Sequence, residues 1–154
     1  MTANEAEYIS IDNYVLKRLE RINQKEKDLL TLLAFCQIFA KGKLREVPHF
    51  LISNFLEINE EFIRLKRHTQ NKKIHDLIIE TDNLSWKTIH PIIAEFILKQ
   101  TLGTNETGNI DVYSLKNFSI RLIKSLRTVS DNRNEEVLEL LYNLFILRGD
   151  EDKN

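Results

Sequence analysis

The stretch from Ile74 to Gly103 reads IHDLIIETDNLSWKTIHPIIAEFILKQTLG. Its first half holds two short runs, Ile74–Thr81 and Leu84–Ile89, rich in β-branched residues or Trp. The pair Asp82-Asn83 between them is turn-forming. In the second run Leu84, Trp86 and Thr88 alternate with Ser85, Lys87 and Ile89, the period of a strand. This predicts a β-hairpin. Pro91 then sits where a first helical residue belongs and Gly103 just past a helix end, so PIIAEFILKQTL reads as a helix burying Ile92, Ile93, Phe96 and Ile97.

Upstream, every periodic segment is helical. Lys25–Lys41 (KEKDLLTLLAFCQIFAK) is apolar on most sides, the pattern of a central core helix, with Gly42 placed to end it. Arg45–Ile58 carries a third helix with Pro48 in its first turn and Phe50, Leu51, Phe55 and Leu56 inward. Asn59 caps a fourth, with Phe62 and Leu65 buried. Before these, Tyr8–Asn23 reads as a short leading helix with Ser10 or Asp12 as its cap and Leu16, Leu19 and Ile22 on one face.

Downstream, TNETGN (Thr104–Asn109) is the best linker candidate. Two helices follow, about Val112–Val129 and Glu135–Arg148. Their stripes are Leu115, Phe118, Leu122, Ile123 and Leu126, then Val137, Leu140, Leu141, Leu144 and Phe145. Joined by Ser130–Asn134, they form a helical hairpin of the kind that stacks on a neighbour. The charged tail Gly149–Asn154 is expected to fray.

The fold class is therefore mainly α: a winged helix (helices plus a β-hairpin) followed by an α-hairpin. Residues 1–24 form the leading helix and 25–102 the winged-helix domain. Residues 103–154 form the helical hairpin, the start of a helical-repeat region.

Composition narrows the function. The 154 residues are 42% hydrophobic and 29% charged, a globular balance rather than a disordered one. No apolar run approaches the roughly 18–20 residues of a membrane span. Lys plus Arg number 22 against 23 Asp plus Glu, a net charge of −1 that argues against a chain living on nucleic-acid phosphates. The start is polar and acidic, unlike a signal peptide, and Cys36 is the one cysteine, so a reducing cytoplasm is the expected location.

Catalytic motifs are missing. There is no G-x-x-x-x-G-K-[ST] phosphate loop, no G-x-S-x-G elbow and no H-E-x-x-H pair. His68 and His75 lie too loosely spaced to predict a metal site, and Cys36 reads as a small core residue. No catalytic residue, metal ligand or enzyme activity is expected.

Two features stand above this background. The basic run Arg64, Lys66, Arg67, His68, Lys72, Lys73 falls at the third helix of the winged-helix unit, the recognition position of DNA-binding relatives. It reads either as a phosphate-contacting surface, or as a solvated helix face or one paired to another, acidic domain. The second feature is His90, held where a strand ends and Pro91 starts a helix. It either caps locally or reaches a ligand outside the domain.

The segment Ile89-His90-Pro91-Ile92-Ile93-Ala94-Glu95 resembles an element of STAND-type signalling NTPases, in the winged helix that follows their P-loop ATPase core. Bacterial defence proteins and the sterile-alpha-motif antiviral proteins of animals are the nearest in kind. LLTLLAFCQIFAKG is similar to that domain's first helix, and VLELLYNLFILRGD to the opening of its helical-repeat sensor. The resemblance implies a non-catalytic regulatory module that couples nucleotide state to a sensor region, in antiviral or antiphage defence. It implies that His90 contacts the phosphates of ADP held by an ATPase core, which this chain lacks. ATP or ADP would be a cofactor only with a core supplied elsewhere, either in the rest of a longer protein or not at all in a stand-alone relative. Partners would be another protein or the remainder of a larger chain, with no membrane. The alternatives are a small winged-helix DNA-binding regulator using Arg64, Lys66, Arg67, Lys72 and Lys73, or a helical adaptor.

Overall fold

A computed structural model of the chain describes residues 3–40, 45–59, 74, 76–81, 84–127 and 134–142. The fold is mainly helical with a small antiparallel sheet. In chain order the described elements are α1 (Ala3–Glu20), α2 (Gln24–Phe39), β1 (Val47–Pro48), α3 (His49–Leu56), β2 (Ile78–Thr81), β3 (Ser85–Thr88), α4 (Pro91–Leu102), α5 (Val112–Leu126) and α6 (Asn134–Leu141).

Helix α2 is the axis, as its apolar sequence predicts. Leu29 to Cys36 are all buried, so every side of the helix is covered. It packs most extensively on α4, then on β3 and α3. Its start is set by Asn23 and Glu26. The Asn23 side chain accepts from the Glu26 N–H at 2.9 Å, and the Asn23 N–H donates to Glu26 Oε1 at 3.3 Å. This reciprocal pair satisfies two N–H groups that helix geometry leaves without intrahelical partners. The helix ends at Phe39, with Ala40 extended. Gly42 lies outside the described residues.

Cys36 is completely buried within α2. Desolvation pushes its thiol from the usual 9.0 up to about 12. The thiolate is the reactive form. The native protein is therefore expected to resist alkylation at pH 8 and to react at once in denaturant, as a timed thiol titration would show. Linkage gives the sign of the pH effect. Below pH 9 both states keep the proton, and between 9.0 and about 12 only the unfolded thiol ionises, so stability falls as pH rises through that window.

Four sequence expectations change. Helix α1 begins at Ala3 and runs through Ser10 and Asp12, so neither is a cap; its inner face is Val15 and Leu19, with Ile22 buried just past its end and Leu16 only half-buried. Pro48 precedes α3 rather than lying in its first turn, because Val47–Pro48 pairs with β3 as a third strand. On α4 the buried residues are Ala94, Ile97 and Leu98, while Ile92 is 55% exposed. Ala94 lies about 200° from Ile92 around the helix, so burying Ala94 turns Ile92 outward. The expected linker is a closed turn. Asn105 Oδ1 accepts from the Thr107 N–H and the Asn109 N–H, both at 3.0 Å, and Thr104 bridges to Ile110.

The sheet order is β1-β3-β2, all antiparallel. Ser85 and Trp86 are paired on both sides, Trp86 opposite Val47 and Glu80 and Ser85 opposite Pro48 and Thr81. Trp86 and Thr88 are buried as the alternation predicts, but Leu84 is exposed. Leu84 has φ +55°, so it belongs to the three-residue loop between Thr81 and Ser85 rather than to the strand. Asp82 and Asn83 lie outside the described residues. Thr88 donates from Oγ1 to Gln37 Oε1, tying β3 to α2.

Gly103 ends α4 with φ +86° and ψ 167°, a region essentially reserved for glycine. An added Cβ there would meet nothing within 4 Å. The penalty of Gly103→Ala is thus purely a backbone one, about 1–3 kcal/mol, to be read as a lower urea midpoint with an unchanged slope.

Helix α5 returns to the core. Asp111 caps it, accepting from the Ser114 N–H at 3.0 Å. Phe118, Leu122 and Leu126 are buried, matching three of the expected stripe. The Phe118 ring lies 5.1 Å from Phe35 and 5.3 Å from Phe55, so α5 seals α2 and α3 together. On α6, Val137 and Leu141 pack against the same core. Leu144, Phe145 and the tail lie outside the described residues.

Candidate functional site

His90 is exposed at the junction of β3 and α4. Its backbone is extended, and its Nδ1 accepts from the Ile92 N–H at 3.1 Å. The ring thereby does the work of an N-cap, while Pro91 occupies the next position, where no N–H is needed. Of the two readings of His90, the local one is realised in this geometry. With Nδ1 accepting, the neutral ring carries its N–H on Nε2. His90→Ala is expected to lower stability by about 1 kcal/mol, and His90→Asn to restore it, in thermal melts.

The basic residues Arg64, Lys66, Arg67, Lys72 and Lys73, and with them His68, His75 and the fourth helix, lie outside the described residues.

Two open grooves have no counterpart in the sequence reading. One, of about 560 Å³, lies between α1, α2, the end of α4 and α5, with Lys27, Gln100, Asn117 and Phe118 among its walls. The other, of about 780 Å³, is bounded by α2, α3 and α5, including Lys25, Asn54 and Lys124. Asp28 and Arg121 border both. Their ion pair, Arg121 Nη2 to Asp28 Oδ2 at 3.0 Å, marks the boundary, with the guanidinium 4.4 Å above the Phe55 ring. The partners are 93 positions apart, so no local pattern signals them. Both grooves mix apolar walls with hydrogen-bonding side chains of both charges. Among the described residues, no group of three or more His, Cys, Asp or Glu could hold a metal ion.

A second polar cluster ties α1 to the start of the hairpin. Arg18 Nη2 donates to Asp76 Oδ2 at 2.8 Å, the Tyr14 hydroxyl donates to the same oxygen at 3.1 Å, and Arg18 lies 3.3 Å above the Tyr14 ring. Partial burial, then the bond to Asp76, raise the Tyr14 hydroxyl above its ordinary 10.0. These contacts join elements and show no reactive group.

Among the described residues, no helix is long and apolar enough to cross a membrane. No protein-family model matches the chain. Comparisons with curated proteins and with solved structures also give no match.

Proposed function

We propose that the chain is a non-catalytic regulatory module, a winged helix that works by packing as the corresponding region of STAND-type NTPases does. The observation that carries this is the packed and hydrogen-bonded path from β3 through His90 into α4 and on to α5. Helix α4 is clamped against α2 and also packs on α1. It leaves through a hydrogen-bonded turn in which Gly103 O accepts from the Asp111 N–H at 2.9 Å. A displacement imposed at His90 would pass along α4 and through this hydrogen-bonded turn toward α5. Such a connector suits a two-state interface, biased by nucleotide on one side and by a sensed partner on the other. The sheet supports the winged-helix reading. A strand between α2 and α3 pairs with the far arm of the later hairpin, giving the order β1-β3-β2. In this reading α5 and α6 are the hairpin that opens a helical-repeat sensor, and nucleotide is held by an ATPase core supplied elsewhere.

The gene's full reading frame tests the proposal first. A phosphate-loop segment is expected upstream of Met1, or in a protein that co-purifies with this chain; if neither exists, the reading fails. In the assembly that holds nucleotide, His90→Asn is expected to keep stability but to weaken ADP retention. Unchanged retention would reduce His90 to a helix cap. A titration with duplex DNA is expected to show no binding. Binding that collapses with added salt would transfer the function to a DNA-binding regulator.

A further inference from the structure

The outward faces of α5 and α6 carry opposite charge around apolar centres. On α5, Phe118, Leu122 and Leu126 face the core. At 100° per residue, Tyr113 and Ile120 lie on the opposite side, 72% and 39% exposed. Exposed Lys116, Lys124 and Arg127 flank them. On α6, Val137 and Leu141 pack against the core. Leu138, and Tyr142 just past the helix end, point away, 66% and 48% exposed, with exposed Glu135 and Glu139 beside them. One helix thus presents an apolar strip with a basic margin, and the other an apolar strip with an acidic margin.

Neither strip matches a copy of itself, because like charges would face each other. Each matches the other. They cannot meet within one chain, since both turn away from the shared core. We propose that these faces dock a second copy of the chain, α5 of each copy lying on α6 of its partner. A two-fold axis makes both contacts at once, which is the isologous arrangement most homodimers use. Apolar contact supplies affinity, and the Lys–Glu margins set register and orientation. The surface is independent of the regulatory reading above and stands or falls separately.

Sedimentation equilibrium of the full chain over a range of protein and salt concentrations tests it. A dimer whose dissociation constant rises with salt is expected. Two charge variants make the test specific: Lys116→Glu with Lys124→Glu, which makes both faces acidic, and Glu135→Lys, which shifts both toward basic. Each alone is expected to self-associate on the order of a hundredfold more weakly. Mixed in equal amounts they are expected to recover the dimer mass, because every α5–α6 contact is again between opposite charges. All three positions are exposed, so helical circular dichroism should stay at the wild-type level. A wild-type chain that is monomeric at every concentration overturns the proposal. So does a mixture that stays monomeric while the wild type dimerises.

Discussion

Phe118→Ala is expected to lower stability by about 3 kcal/mol, toward the low end of the range for a buried aromatic. The ring is 7% exposed and contacts Phe35 of α2 and Phe55 of α3. Truncation removes its burial and both tilted aromatic pairs. The low end applies because Phe118 also lines the smaller groove, so water can enter the vacated space and relieve part of the cavity penalty. Urea unfolding followed by Trp86 fluorescence measures this. A loss under about 1 kcal/mol would mean that α5 is not held by this core.

Trp86→Ala is expected to cost about 4 kcal/mol. Trp86 is 3% exposed, sits between both neighbouring strands, and meets the His49 ring edge-on at 5.6 Å between centroids. Its removal takes away the one large side chain by which the central strand reaches the core. Trp86→Phe separates packing from hydrogen bonding. Among the described residues the buried indole N–H has no hydrogen-bond partner, so its deletion forfeits no bond. The Phe variant should therefore lose only about 1–2 kcal/mol. Circular dichroism melts would measure both variants, since the sole tryptophan is the residue replaced. Equal losses for Ala and Phe would show that a six-membered ring at this position does not hold the sheet.

Both substitutions fall at positions the sequence marks as inward, yet their neighbours were not legible there. The candidate site shows the same division. The strand–His–Pro–helix junction is local, so His90 and α4 could be read from consecutive residues. Its capping bond spans two residues, and Pro91 and Gly103 mark the helix ends by their own backbone chemistry. The box at Asn23 and Glu26 was equally local and readable from the Asn-x-x-Glu spacing. By contrast, the ion pair that separates the two grooves joins residues with no sequence relation to each other.

The sequence alone determined the helical class, the hairpin, the central position of α2 and the limits of α4. Periodicity and end signals act within a few residues, and burial of an all-apolar helix leaves no choice of face. Only the tertiary structure decided that Val47–Pro48 is a strand, since two residues carry no period and need β3 to pair with. It also decided that Ala94 rather than Ile92 faces inward, because the buried side of a helix this apolar is chosen by the elements packed around it, not by hydrophobicity along one chain segment.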